Sequence, residues 1–304
     1  MSANSFTALG IDVGGTKIAA GVVNFPEGRV CSRRTIPTNP TRGGAAVLED
    51  VTKLAEELII EARATGLPVA GIGLGLCELV NAEGRILSAN CLQWLDQPVR
   101  ERLSRFAPVT LEADVRAAAL AEAHFGAGKP YRIVLYVTVG TGIASCLVTD
   151  GKAFTGARGL TGTMASSPMG LVCEQCGHIS RRSLEEVASG PALTARYNER
   201  KPGAAKTGHD VLAAAAGGDV AAIEVVQTGG DALASTLGLL VNVLDPHAVI
   251  VGGGLGLSEG AYWESFIAAT RRYIWSEAHR DLPILRAATG PDAGLIGAAI
   301  AAWR

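Results

Sequence analysis

Two short stretches of this 304-residue chain repeat one pattern, and few folds can accommodate both. The first runs from Leu9 through Asp12, Val13, Gly14, Gly15, Thr16 and Lys17 to Val23; the second runs from Leu135 through Thr138, Val139, Gly140, Thr141 and Gly142 to Val148. Each is an apolar run, a polar residue, a Gly/Thr turn and a second apolar run, the pattern of a hairpin whose turn carries little side-chain bulk. Glycine at such a turn lifts the steric bar to positive φ and to close approach, so backbone N–H groups can face an anion. Two phosphate-cradling hairpins predict two related lobes with the phosphate tail of a nucleotide between them.

The rest of the chain supports that duplication. Three strands are expected over Ala8–Val13, Lys17–Phe25 and Arg29–Ile36, followed by a helix from Gly44 to Thr65 with Val47, Val51, Leu54 and Leu58 on one face. The run Val69–Leu76 alternates glycine with Ile and Leu, which suits a buried strand approached closely by other backbone. A short strand, Val109–Glu112, leads into an Ala-rich helix over Val115–Phe125 that Asp114 begins, where the helix dipole favours an ionised carboxylate. Beyond the second hairpin the chain reads as helices over 190–198, 209–216, 219–244, 259–276 and 293–303. Strands are expected at Ala248–Val251, running into Gly252, Gly253 and Gly254, and at Pro283–Ala287. The order β-β-β-α-β-α in each half predicts an α/β fold of two mixed-sheet lobes. The small lobe is expected over 1–115, completed by a C-terminal helix over 290–304, and the larger over 116–289.

Composition excludes several classes. With 48% hydrophobic and 18% charged residues, the chain can bury a substantial core, and a net charge of −2 with scattered Lys and Arg argues against nucleic acid as partner. The longest apolar stretch, Leu233 to Val251, is broken by Asn242, Asp245 and Pro246, so no membrane span is expected; Met1 to Thr7 has no basic segment followed by an apolar one, so no signal peptide is expected either. A cytoplasmic chain with six reduced cysteines follows as the expectation.

No Walker loop occurs, and Gly71, Gly73 and Gly75 lie within a strand rather than at a strand-to-helix turn, so no dinucleotide fingerprint is present. The first hairpin offers backbone donors, the Thr16 hydroxyl, the Lys17 ammonium and the Asp12 carboxylate, which could hold magnesium through water. The Gly252–Gly254 run could let a base or ribose lie against the backbone.

These elements together resemble the two-lobed, duplicated ribonuclease H-like fold of the actin-like ATPases and sugar kinases, and within it the ROK family of sugar kinases and repressors. The matching residues are Asp12 to Lys17, Asn90 with Trp94, Asp114, Gly140 to Gly142, Gly156 to Gly159, Leu184-Glu185 before Ser189 to Pro191, Asp245-Pro246, Gly252 to Gly254 and Ala293 to Ala298. The resemblance implies ATP- and Mg2+-dependent phosphorylation of a hexose hydroxyl, the 6-OH, with Asp114 as general base. It also implies a homodimer. The phosphate and nucleotide would be held by Asp12, Gly14, Gly15, Thr16, Lys17, Thr138, Gly140, Thr141, Gly142, Gly252, Gly253 and Gly254. Polyphosphate as donor stays open.

The acceptor side departs from the family. The Asn before the base is Ala113, the Glu-x-Gly-His segment aligns with Thr163 to Ser166, and the Pro-Gly after the fourth strand aligns with Cys77-Glu78. Asn90 and Glu185 remain as sugar ligands. Such changes point to a different substrate, because a site built for given hydroxyls leaves groups unpaired when the ligand changes. Glu78 adds a carboxylate that an amino-hexose with a free amine would satisfy; a solvent-facing Glu78 is the other reading. The family's zinc site is eroded to Cys173, Cys176 and His178, with Ser166 and Ser183 at the outer positions. Three ligands at most fall short of the four that structural zinc takes, so structural zinc is doubtful and weak, water-completed zinc at Cys173, Cys176 and His178 stays open. A catalytically weak or inactive sugar sensor is the alternative function. A direct repressor is not expected, because eleven residues before Asp12 leave no room for a helix-turn-helix.

Overall fold

The computed structural model describes residues 6–172, 176–177 and 179–303. The chain forms two units. The first comprises the residues up to Pro130, Cys146–Thr161 and the chain from Ala288 onward; the second comprises Tyr131–Ser145 and Gly162–Ala287.

In the first unit, β1 (Phe6–Val13), β2 (Lys17–Phe25) and β3 (Arg29–Pro37) form an antiparallel meander, with Asp12 opposite Ala19 and Val13 opposite Ile18. After α1 (Gly44–Ala64), β4 (Gly71–Leu76) joins parallel to β1. Beyond α2 (Val99–Ser104), β5 (Val109–Ala113) joins parallel to β4, giving the order β3-β2-β1-β4-β5. Alternation along β1 divides the core between the two faces. Leu9, Ile11 and Val13 pack with Val47, Val51 and Leu58 of α1, whereas Ala8 packs with Phe25, Leu120 and Ile300. Each fully buried Val or Leu of α1 contributes about 1.5–3 kcal/mol. Trp94 is fully buried in the α1-side cluster and its indole N–H donates to the Gly44 carbonyl at 2.9 Å.

The second face is covered by α3 (Asp114–Phe125) and the last helix of the chain, α10 (Ala293–Trp303). Two glycines make this packing possible. A Cβ on Gly73 of β4 would lie 1.7 Å from the Ala298 carbonyl oxygen, and one on Gly297 would lie 1.6 Å from that of Ala117. Sheet, α3 and α10 therefore meet backbone to backbone. This is why α3 belongs to the first unit and the boundary falls after Pro130 rather than near residue 115.

The second half repeats the topology. Here β6 (Ile133–Val139), β7 (Ile143–Thr149) and β8 (Lys152–Ala153) are followed, after an insertion, by β11 (Ala248–Gly252) and β12 (Ile284–Arg286) in the order β8-β7-β6-β11-β12. Position for position this is the order of the first sheet. β7 passes into the first unit at Cys146, where β8 pairs with it. The insertion carries a two-stranded ribbon, β9 (Pro168–Val172) and β10 (Ile179–Ser183), and helices α4 (Glu185–Ala188), α5 (Gly190–Arg200), α6 (Gly208–Ala216) and α7 (Val220–Leu244). Their starts follow from local chemistry. Ser189 accepts from the Ala192 N–H, Thr207 and Asp210 form a reciprocal capping box, and Asp219 accepts from the Ala222 N–H.

The helix expected over 259–276 is instead α8 (Ala261–Tyr273) and a separate turn of helix, α9 (Glu277–Arg280). Ile274 is extended and fully buried, which ends α8. The elements α2, β8, β9, β10 and α4 have no counterpart in the sequence-based expectation. No single helix among the described residues is long and apolar enough to cross a membrane.

Candidate active site

In the first unit the β1–β2 turn is closed by the Gly14 N–H, which donates to the Lys17 carbonyl at 3.0 Å. Thr38, fully buried after β3, bolts it down: its N–H donates to the Thr16 carbonyl at 3.0 Å and its hydroxyl to the Gly14 carbonyl at 2.6 Å. Sequence reasoning missed Thr38, because its partners lie two strands away. Thr16 and Lys17 remain exposed at the tip.

Asp12, the penultimate residue of β1, lies beside Gly75 of β4, and Asp114 opens α3 directly after β5. The three strand ends converge. A Cβ on Gly75 would lie 3.8 Å from both the Asp12 Oδ1 and the Asp114 Cα, and one on Gly294, in the first turn of α10, would lie 2.3 Å from Asp12 Oδ2. Burial lifts the Asp12 pKa to about 7, the charge of Asp114 adds to it, and Lys17 opposes it. Burial likewise lifts Asp114 to about 6, against its bond from the Val115 N–H at 2.6 Å and the charge of Arg116; Glu78 pushes it further up. Asp114 is the first helical residue rather than the cap, since the capping position is the extended Ala113. Arg116 is held by an ion pair with Glu112 and by donation to the Gly159 and Val80 carbonyls at 2.6 and 2.7 Å. These bonds fix the first turn of α3, and with it Asp114.

Glu78 sits where neither sequence reading put it. It is 4% exposed, which removes the solvent-facing alternative. Its Oε1 accepts from the N–H groups of Cys91 and Leu92 at 2.6 and 2.7 Å, and its Oε2 from the Asn90 N–H at 3.0 Å and from the Ser88 hydroxyl. A carboxylate offers about four acceptor sites. All four are taken by this chain's own donors, so the amine-binding expectation for Glu78 is corrected. Burial alone would raise its pKa, but the four donors hold it below the ordinary value. Asn90 itself is exposed, and Ala113 is buried.

In the second unit the β6–β7 turn is closed by the Gly140 N–H donating to the Gly142 carbonyl, and the Gly190 N–H at the start of α5 donates to the Gly140 carbonyl, both at 2.9 Å. Thr138 pairs with Gly252 across β6 and β11. Gly253, at φ +82°, packs so closely on β6 that a Cβ would lie 2.4 Å from the Val139 carbonyl oxygen. A cavity of about 550 Å³ opens here, lined by Gly140, Thr141, Gly254 and Leu255 and by the first turns of α5 and α6, with Pro191, Thr194, Thr207 and His209 and the preceding Lys206. The second Gly/Thr turn and the third glycine element thus meet at one pocket of ligand size. Lys206 and His209, neither of them a candidate from sequence, line it because α6 starts there.

Glu185 opens α4 and accepts from the Ile143 N–H at 2.8 Å, so its carboxylate is tied to the same turn. Thr163 and Ser166 are exposed at the ends of a single 3-10 turn, with Met164 buried between them and the Ser166 hydroxyl donating to the Thr163 carbonyl at 3.3 Å. Of the three zinc candidates, Cys176 is an exposed free thiol, and Cys173 and His178 lie outside the described residues. No group of three or more His, Cys, Asp or Glu placed to hold a metal ion occurs among the described residues.

The model of the ROK family matches residues 8–304. The chain belongs to the ROK family. It is 32% identical to a glucokinase of Streptomyces coelicolor, with 96% of each chain covered, and 32% identical to an N-acetylmannosamine kinase of Citrobacter koseri, with 97% of this chain and 98% of the relative covered. Among solved structures, a ROK hexokinase from Thermus thermophilus superposes with a TM-score of 0.83 at 34% identity, with 98% of each chain covered. A ROK family glucokinase from Streptomyces griseus in complex with glucose and AMPPNP superposes with a TM-score of 0.79 at 28% identity, covering 98% of this chain and 99% of that one. The two-lobed sugar-kinase fold of this ROK protein is the one those structures have.

Proposed function

We propose that this ROK protein is an ATP-dependent kinase that phosphorylates a hydroxyl, the 6-hydroxyl by family resemblance, of a hexose or amino-hexose. The observation that carries the reading is Asp114: a half-buried carboxylate, raised to about 6, fixed at the start of α3 beside Asp12. Such a group is ionised at neutral pH yet basic enough to take a hydroxyl proton. The acceptor oxygen, freed of its proton, attacks the γ-phosphorus, and ADP leaves. Phosphoryl transfer draws its rate mainly from positioning and charge neutralisation. In the first unit the N–H groups, hydroxyl and ammonium of Gly14 to Lys17 suit phosphate; in the second, taken by itself, the cavity beside Gly140 and Gly254 has the size for a base and ribose.

The donor set fits magnesium. Asp12 is a hard oxygen donor whose ionised form is penalised by burial and by Asp114, and a divalent cation would relieve that penalty. Bound through water to Asp12, magnesium would neutralise phosphate charge. Asn90 and Glu185 are the acceptor ligands of this reading, with Thr163, Ser166 and Ala113 in place of further hydroxyl-binding groups. Those three replacements favour the second reading, a sugar sensor with little or no turnover. The kinase names of the relatives, glucokinase and N-acetylmannosamine kinase, support turnover and span neutral and amino sugars. Sugar-dependent ADP formation across a panel of neutral and amino hexoses tests the choice. Turnover with any member supports the kinase; binding without turnover across the panel supports the sensor.

A further inference from the structure

Three consecutive N–H groups, of Asn90, Cys91 and Leu92, together with the Ser88 hydroxyl, form a backbone nest of the sort that binds anions. In this chain the nest is filled from within, by the carboxylate of Glu78, two residues past the end of β4. The loop from Ser88 to Leu92 has no regular secondary structure, so its conformation is set by these bonds and by Leu92, which is fully buried. The same loop carries Asn90 and also Cys91, whose sulfur stands 2.8 Å from where a Cβ on Gly15 would be. One buried carboxylate therefore fixes both the residue read as an acceptor ligand and the sulfur that packs against the phosphate turn.

We infer that Glu78 is a positioning residue for the acceptor: by filling the nest of Ser88 to Leu92 it holds Asn90 where the sugar is bound, and sugar affinity depends on it. The inference rests on the reading of Asn90 as a sugar ligand. Charge-assisted bonds to a carboxylate are roughly twice as strong as neutral ones, and an amide in its place puts a donor against donors. In Glu78→Gln the KM for the best sugar of the panel is expected to rise about tenfold or more, with the KM for ATP within about twofold. Ser88→Ala, which removes one peripheral donor, is expected to raise the sugar KM less, and it keeps the test open if Glu78→Gln does not fold.

The discriminating experiment is a double-mutant cycle with Asn90→Ala, read as sugar KM and ATP KM in variants of confirmed native melting behaviour. If Glu78 acts through Asn90, the sugar KM of the double variant equals that of Asn90→Ala alone. Additive effects, an unchanged sugar KM in both Glu78→Gln and Ser88→Ala, or an equal rise in the ATP KM would overturn the inference while leaving the acceptor reading intact. An unchanged sugar KM in Asn90→Ala would overturn the acceptor reading of Asn90, and the inference with it.

Discussion

Replacing Asp114 with Asn separates catalysis from stability, because the same burial that would tune the proposed base also costs the fold. The carboxyl rises from 3.8 to about 6 on folding, with burial as the largest cause. At 1.36 kcal/mol per pKa unit, that is about 3 kcal/mol against the ionised form. The folded pKa lies above the unfolded one, so the fold binds the proton more tightly. Stability tied to this group is fully present below about pH 4, falls as pH rises to about 6, and stays lost above that. Asparagine is never ionised and can still accept from the Val115 N–H. Asp114→Asn should therefore lower kcat by 10²- to 10⁴-fold, about 3 to 5 kcal/mol of barrier. At pH 8 it should unfold in urea with a free energy equal to that of the parent or up to about 3 kcal/mol higher, and the difference should vanish near pH 4. Coupled ADP release measures the first effect and urea titration at the two pH values the second. A folded Asp114→Asn with kcat within about threefold of the parent would refute the assignment of the base. A variant less stable at pH 8 than the parent would refute the burial argument.

Three further outcomes follow from the same geometry. Because Asp114 and Asp12 are raised to about 6 and about 7, kcat/KM should fall in acid as the pair takes up protons, with its plateau above neutrality; a flat profile between about pH 5 and 8 contradicts this. Glu122 is fully buried and accepts from the N–H groups of Ala127, Ala288 and Thr289, so Glu122→Ala should lose roughly 3 kcal/mol in urea unfolding, whereas a loss below about 1 kcal/mol would show these bonds to be replaceable. Gly297→Ala puts a methyl 1.6 Å from the Ala117 carbonyl oxygen, backbone against backbone, and should cost about 3 kcal/mol or more; a melting temperature within about 2 °C of the parent would contradict the close packing of α10.

The parts of the fold legible in the sequence are those whose signal is local. The turns at Gly14–Lys17 and Gly140–Gly142 announce themselves by composition, and α10, Ala293–Trp303, is legible because no charged residue or proline interrupts its apolar run. The strand glycines of β4 were readable as sites of close approach, although their partner, α10, was not. What stayed hidden depends on contacts distant in sequence. Glu78 meets donors 10 to 14 residues away on a loop without periodicity, so an isolated carboxylate offered only a ligand or a surface group as readings. Lys206 and His209 gain meaning only when the first turn of α6 is brought beside Gly140 and Gly254. Short elements such as α2 and β8 fall below the length at which periodicity speaks, and the unit boundary near Pro130 follows from the packing of α3 on α10, which no linker composition records.

The central claim is transfer of the γ-phosphate of ATP to a sugar hydroxyl, and phosphorus-31 NMR of the parent protein with ATP, magnesium and each sugar of the panel tests it most directly. For at least one sugar, loss of the γ-phosphate signal is expected, matched by a phosphate monoester signal and ADP in equal amounts. ATP left intact with every sugar, or γ-phosphate released only as inorganic phosphate, would contradict it.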